Sequence, residues 1–379
     1  MRRGGLPTFK PMGLAPQKVV ETDEGDPTRD TYQRKVFYDS VNFFVVYWDL
    51  STLKIKYVTS TDGEAWSSST DLLTISSGLY YGGNVDIVYP NHGTKDVNGA
   101  SADLAIHYVS GGDLAFWRPY VISGASLVLK VGRAQGGLQL AQGGSVLSNL
   151  NGSIDYAIFH QNHVVTLGIG IHGSSSIGLM DSDQSVPYGG TTTGGAQLLP
   201  YKTSSPFNMF ALAKGSDNKL YYNIVIDPTG KFQDGFSEIA TLGTSFSDFC
   251  ACSEAQAAGD PERVHLVYIK STGELCYNKF ENDELGVEKV LVASGASYPV
   301  IAVGSGGKLY ISYVKDGKIW VIHYRGAWFK PVELFTADHT YNNPAYLSSN
   351  QNVQSGKICL VWTEGTATPY EVWFCILED

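Results

Sequence analysis

Apolar residues recur at every second position through most of the chain, in short runs separated by Gly, Asp, Asn and Ser. A period of two puts neighbouring side chains on opposite faces of a strand, so the pattern predicts β-strands joined by turns. The clearest stretch lies near the C-terminus. Residues 298–303, 308–314, 318–324 and 332–335 form four such runs, with Gly306-Gly307 and Asp316-Gly317 in the first two gaps. Asp-Gly between alternating apolar runs is a strong hairpin signal, because both residues tolerate the positive φ of a two-residue turn.

The four-run unit recurs. Val264-His265-Leu266-Val267-Tyr268, the turn Ser271-Thr272-Gly273, Glu274-Leu275-Cys276-Tyr277-Asn278 and the run 288–292 precede it. Asn343-Pro344-Ala345-Tyr346-Leu347 and the runs 357–362 and 371–375 follow it. An earlier copy starts at Ser205-Pro206-Phe207, and its Lys219 follows Pro206 by thirteen residues, as Lys357 follows Pro344. Looser copies start near Arg34, Gly83 and Ser153. Unit starts near residues 34, 83, 153, 205, 247, 297 and 343 give seven units. Four strands per unit at that period predict an all-β, seven-bladed β-propeller of four-stranded antiparallel blades, one domain over 1–379. The Gly-rich segments 134–144 and 189–195 read as loop insertions.

The last unit holds only three runs before Asp379. The segment Ala15-Pro16-Gln17-Lys18-Val19-Val20-Glu21-Thr22 is similar to residues 329–335, the outer run of the sixth unit. A strand at about 17–22, carried on an N-terminal arm of residues 1–33, is therefore expected to complete the seventh blade and remove its open edge.

Composition narrows the partners. The chain has 379 residues, 43% of them hydrophobic, which is enough for a full core. It carries 27 basic and 37 acidic residues, a net charge of −10, which argues against the basic face of a nucleic-acid binder and against a polybasic membrane patch. One of the strongest apolar runs, 41–48, is far shorter than a membrane span and contains Asn42, so no membrane insertion is expected. Gly4-Gly5-Leu6-Pro7 follows Met1-Arg2-Arg3 with no apolar run of signal-peptide length. Cys250, Cys252, Cys276, Cys359 and Cys375 are too sparse for a disulfide scaffold and are expected as buried thiols. If Trp362 and Trp373 flank a hairpin centred on Ala367, Cys359 and Cys375 fall opposite each other, within reach of pairing.

Between the third and fourth runs of the first unit stands Ser60-Thr61-Asp62-Gly63-Glu64-Ala65-Trp66. Ser60 and Asp62 suit bonds to turn amides, Gly63 suits positive φ, and Trp66 suits packing under the hairpin. This segment resembles the Asp-box turn of sialidase-type propellers, in a shortened form. The resemblance implies the propeller fold and a structural role for the turn, which in those families lies away from the catalytic face. The three arginines that sialidases use are not matched by context. Among Arg2, Arg3, Arg29, Arg34, Arg118, Arg133, Arg263 and Arg325, the nearest matches are Arg34-Lys35-Val36 and Arg118-Pro119, while Arg263 and Arg325 sit at strand ends.

Asp39, Asp86, Asp155 and Asp248 fall on or near the first strands of units one, two, three and five. First strands line a propeller channel, so these are the candidate channel acids: a glycosidase acid/base pair, a cation site of hard oxygens, or a solvated lining. His160, His163 and His172 lack a recognisable zinc-ligand pattern, and no metal or cofactor is expected. Trp48, Trp117, Trp320, Trp328, Trp362 and Trp373 mostly alternate within strands and are assigned to the core. No polar set repeats in every unit, which counts against a many-site lectin.

No catalytic site emerges, so the chain reads as a non-enzymatic structural or interaction propeller. The alternatives are a sialidase-like glycoside hydrolase and a glycan-binding lectin. The acidic, Ser/Thr/Gly/Tyr-rich composition without a leader suits a virion or other large extracellular assembly, by analogy with propellers of phage tails; a cytoplasmic location is the alternative. The expected partners are other proteins of such an assembly, further copies of the chain, and glycans.

Overall fold

The computed structural model describes residues 15–31, 33–75, 85–88, 103–110, 114–129, 141–148, 154–161, 164–171, 177–181, 195–202, 208–215, 217–226, 231–233, 235–245, 248–255, 259–334, 339–351 and 357–378. For the strands between 141 and 181 the description is of the backbone path. Among the described residues there is no α-helix, only a short 3-10 turn at Ser305–Gly307.

The strands fall into seven antiparallel sheets in chain order. An initial strand, β1 (Gln17–Thr22), stands apart from the sheet that follows it. The first sheet holds β2 (Val36–Tyr38), β3 (Phe43–Asp49), β4 (Lys54–Ser60) and β5 (Thr70–Thr74). The second holds β6 (Val85–Val88), β7 (Leu104–Ser110), β8 (Leu114–Ser123) and β9 (Ser126–Leu129). The third holds β10 (Ala141–Ser148), β11 (Ile154–Gln161), β12 (Val164–Ile171) and β13 (Ile177–Asp181). In the fourth, β14 (Ala196–Lys202), β15 (Asn208–Lys214) and β16 (Lys219–Ile226) are followed by β17 (Lys231–Phe232) and β18 (Ser237–Thr241), both paired to β16. The fifth repeats this split outer strand with β19 (Phe249–Ser253), β20 (Arg263–Ile269), β21 (Leu275–Glu281), β22 (Glu284–Leu285) and β23 (Lys289–Val292). The sixth holds β24 (Ser297–Val303), β25 (Leu309–Lys315), β26 (Lys318–Tyr324) and β27 (Val332–Glu333). In the seventh, β28 (Ala345–Ser349), β29 (Lys357–Glu364) and β30 (Tyr370–Glu378) are joined by β1, which pairs with β30.

Local chemistry explains the hairpins. Lys315 pairs with Lys318 across a two-residue turn in which Asp316 and Gly317 have φ of 52° and 70°. The turn between β21 and β22 uses Asn282 and Asp283 in the same way, with φ of 56° and 62°. Both are side-chain types that tolerate the left-handed region a right-twisted hairpin needs.

The cores lie between sheets, because neighbouring sheets stack face to face. One cluster joins sheets five, six and seven through Val267, Ile301, Ile311 and Trp362. Others join four to five through Phe210 and Leu266, one to two through Trp48 and Ile106, and seven to one through Phe43 and Phe374. First strands buried on both faces, such as β14 and β19, lose the alternation of exposure that outer strands keep.

The segment after β1 crosses between the first strands. Thr28 Oγ1 donates to the Tyr346 carbonyl at 2.7 Å, and Thr31 Oγ1 to the Phe249 carbonyl at 2.7 Å. Arg34 Nη2 donates to Asp86 Oδ2 at 2.9 Å. One stretch thus ties the seventh, fifth and second sheets. Farther along, Gln197 Nε2 reaches the Ala251 carbonyl at 2.9 Å and Gln351 Oε1 at 3.1 Å, so side-chain amides also span the interior.

Three expectations shift. The third sheet begins at Ala141, so residues 141–144 start a strand instead of ending a loop insertion; residues 134–140 and 189–194 lie outside the described residues. The fourth sheet begins at Ala196, ahead of Ser205-Pro206. Lys219 therefore opens a third strand while Lys357 opens a second, and the equal spacing from the two prolines joins unlike elements. Finally, Cys375 pairs with Leu360 and Cys359 with Ile376. That single-residue offset puts the two thiols on opposite faces, Cys359 toward the first sheet and Cys375 toward the sixth, and all five cysteines are free and buried.

Candidate functional site

Among the described residues, the acids expected in the channel have separate partners. Asp39 caps the turn after β2, its Oδ1 accepting the Val41 and Asn42 amides at 2.8 and 2.6 Å. Asp86 is fully buried and accepts Arg34 N at 2.7 Å and Nε at 3.0 Å as well as Nη2. Asp248 sits 3.4 Å from Lys214 Nζ; burial pushes its carboxyl up and the lysine down. Asp155 lies on β11, and its side chain is outside the described residues. For Asp86 the reason is the crossing segment, which places the Arg34 guanidinium and amide against its carboxylate.

The 60–66 turn is built from its own side chains. Ser60 Oγ accepts the Gly63 amide at 2.8 Å, and Asp62 Oδ1 accepts the Glu64 and Ala65 amides at 2.8 and 3.0 Å. Gly63 has φ of 82°, and Trp66 donates Nε1 to the Gly63 carbonyl at 3.1 Å while its ring meets Phe374 edge-on. Those amide bonds hold the Asp62 carboxyl below the usual range. The turn is saturated by its own bonds and offers no reactive group.

The chemistry gathers instead in a cavity of about 1110 Å³ between the fifth and sixth sheets. The period of two builds one wall. Arg263 and His265 share a face of β20, and Tyr277, Lys279 and Glu281 share the matching face of β21. Register sets Arg263 opposite Glu281 and His265 opposite Lys279. Glu254, just after β19, completes the wall. The sixth sheet supplies Tyr324, Trp328 and the Gly306-Gly307 turn, with φ of 70° and 72°. A Cβ on Gly307 would stand 3.2 Å from Glu254 Oε2, so glycine leaves room for that carboxylate.

A hydrogen-bonded chain runs through this wall. His265 Nε2 lies 2.8 Å from Glu254 Oε1, and its Nδ1 lies 2.8 Å from the Tyr277 hydroxyl. Burial opposes ionisation of Glu254, but His265 and Arg263 outweigh it and hold the carboxyl below its ordinary range. In the tautomer that donates from Nε2 to the Glu254 carboxylate, Nδ1 accepts the Tyr277 hydroxyl. Burial raises the Tyr277 hydroxyl well above the usual tyrosine range, so it keeps its proton. Beside it stands an aromatic group: the Trp328 ring is 4.7 Å from Tyr277 and 5.1 Å from Tyr324.

The sequence reading placed Arg263 and Arg325 at strand ends and assigned Trp328 to the core; all three line this groove. His265 and Tyr277 enter the sequence analysis only as parts of the repeat, and Glu254 does not enter it. A signal for them exists. Where both faces of a middle strand pack on neighbours, Arg-x-His and Tyr-x-Lys-x-Glu put polar groups on a face that other units fill with apolar ones. Among the described residues no group of three His, Cys, Asp or Glu is arranged to hold a metal ion. His163 and His172 lie outside the described residues, as does the side chain of His160.

No known protein-family model matches the chain, and no curated protein matches it. Solved structures of similar fold do. A lectin from Burkholderia pseudomallei is 12% identical, with 95% of each chain covered and a TM-score of 0.60. A polysaccharide lyase described as an ulvan lyase is 8% identical, covering 96% of this chain and 95% of its own, with a TM-score of 0.58. The WD40 domain of Toxoplasma gondii coronin is 10% identical, covering 97% of this chain and 86% of its own, with a TM-score of 0.56. At these identities the likeness establishes architecture: the chain is an all-β protein with the β-propeller fold.

Proposed function

We propose that this chain is a glycan-binding propeller, a single seven-bladed domain closed by β1, and that it holds saccharide in the groove between the fifth and sixth sheets. The observation that carries the reading is Trp328, flanked by Tyr277 and Tyr324, in one cavity with Glu254, His265 and Arg263. A pyranose presents an apolar face and a rim of hydroxyls. The indole suits the face, and the carboxylate and guanidinium suit the rim. A lectin among the similar folds supports the reading. The alternative of an assembly component is carried by composition alone.

Covering about 80 Å² of apolar surface with the indole contributes about 2 kcal/mol, or roughly thirty-fold in affinity. Trp328→Ala is therefore expected to weaken saccharide binding by about that factor in calorimetric titration of hits from a glycan array. Unchanged affinity in the variant, or no saccharide bound by the wild type, overturns the reading.

The Glu254–His265–Tyr277 chain favours a second reading, in which the bound polysaccharide is also cleaved. A tyrosine that keeps its proton and is backed by an imidazole can exchange that proton with a sugar oxygen. New chain ends released from a polysaccharide by the wild type, and abolished in Tyr277→Phe, are the expected result; no release from any bound polysaccharide excludes it.

A further inference from the structure

The net charge of the chain is −10, yet the residues lining the groove include four cations, Arg263, Lys279, Lys308 and Arg325, and two carboxylates, Glu254 and Asp260. The local balance is thus opposite in sign to the whole. Two of the cations lean on one acid. Arg263 Nε bonds Glu281, and Lys279 Nζ bonds the same carboxylate at 2.5 Å. The other acid beside Arg263 is engaged elsewhere: Glu254 Oε1 lies 3.6 Å from Arg263 Nη1 but 2.8 Å from His265 Nε2. The Arg263 and Lys279 side chains remain 40% and 39% exposed, so their charge faces the groove as well as the wall. The Lys289 ammonium adds a fifth positive group 5.9 Å from the Trp328 ring centre.

Resting on the saccharide reading, we infer that the groove selects an anionic saccharide, a sugar chain bearing carboxylate or sulfate. The physical reason is range. Charges farther apart than about 10 Å are largely screened at 0.1 M salt, so the acidic surface does not cancel a cluster this compact. A guanidinium and ammonium groups in a partly desolvated cleft form charge-assisted hydrogen bonds with an anion about twice as strong as those with a neutral hydroxyl. A neutral sugar satisfies the indole and Glu254 but forms only the weaker of these bonds with the cations that line the groove. The shared chemistry is a fixed negative charge beside the stacked ring; carboxylate and sulfate are its two sources.

The test is titration with three matched probes: oligogalacturonate, the same oligosaccharide with its carboxyls reduced, and a sulfated oligosaccharide, each at 50 and 300 mM NaCl. At least one anionic probe is expected to bind about tenfold or more tightly than the carboxyl-reduced probe, an advantage that shrinks at high salt. Arg325→Gln and Lys308→Gln should each weaken the anionic probe several-fold. Lys219→Gln, the same charge change on the fourth sheet, should not. Which anionic probe binds separates carboxylate from sulfate recognition. Equal binding of neutral and anionic probes through Trp328 overturns this inference and leaves the saccharide reading standing. Binding of the anionic probe that ignores Arg325→Gln, Lys308→Gln and Trp328→Ala removes the groove from both. No binding of any saccharide sinks both together.

Discussion

Replacing Asp86 with alanine tests how strongly the segment that crosses between the first strands is held by its buried ion pair to the second sheet. The carboxylate is fully buried and receives Arg34 N, Nε and Nη2 at 2.7, 3.0 and 2.9 Å. Without it a guanidinium whose side chain is 9% exposed loses its counter-charge, and a buried amide loses its acceptor. Breaking a buried pair from one side costs about 3–5 kcal/mol, because a charge is left desolvated and alone. Asp86→Ala is therefore expected to lose about that much in urea unfolding, followed by tryptophan fluorescence and circular dichroism. Arg34→Met with Asp86→Leu removes both charges. It should lose only about 1–3 kcal/mol, which is the cost of the orphaned Arg34 amide. The double variant should therefore recover about 2 kcal/mol of what Asp86→Ala alone loses. A loss under about 1 kcal/mol for Asp86→Ala, the result for an acid solvated in an open channel, refutes the reasoning. So does a double variant that loses the sum of the two singles.

Other outcomes follow from the same geometry. Lys35 is fully buried, and burial pulls its ammonium down to about 7, with Asp30, Asp86 and Asp26 opposing the shift and Arg29 adding to it. Its folded value lies below its unfolded one, so burial costs stability in full below pH 7 and the cost fades as pH rises toward 10.5. Wild-type stability relative to Lys35→Met should therefore rise between pH 7 and 10, by up to roughly 4 kcal/mol at about 1.4 per pKa unit, and a flat difference refutes this. Ser60→Ala removes the hydroxyl that accepts the Gly63 amide and should cost about 1 kcal/mol, with a changed Trp66 environment visible in fluorescence; no change in either contradicts the turn's architecture. Gly307→Ala adds a Cβ at a φ of 72° and 3.2 Å from Glu254, so it should lose about 1 kcal/mol of stability and several-fold in saccharide affinity. The buried thiols, Cys250 pushed up to about 12 and Cys276 to about 11, should not react with a thiol reagent until the protein is unfolded.

Much of the fold was legible because its signals are local. The strand period comes from backbone geometry. The Asp316-Gly317 hairpin comes from which residues tolerate positive φ, and the 60–66 turn from side chains bonding amides two and three residues away. Even the pairing of β1 with β30 was visible, since residues 15–22 resemble an outer strand and the last unit lacks one. The errors arose where a local signal had to fix a long-range relation. Cys359 and Cys375 were misplaced by one position of register, enough to turn each to the opposite face. The equal spacing from Pro206 and Pro344 matched Lys219 to Lys357, although Lys219 opens a third strand and Lys357 a second.

The candidate site was not legible for the same reason. Sequence alternation put Arg263 with His265, and Tyr277 with Lys279, on common faces, and that much depends on the strand alone. Only the stacking of the fifth sheet on the sixth brought Trp328 to Tyr277 and Gly307 to Glu254. Only the crossing segment turned Asp86 from a channel acid into the buried partner of Arg34. Strand periodicity acts over a few residues and is written in residue order. The placement of one sheet against another is set by the packing of whole faces, which no short stretch of sequence encodes.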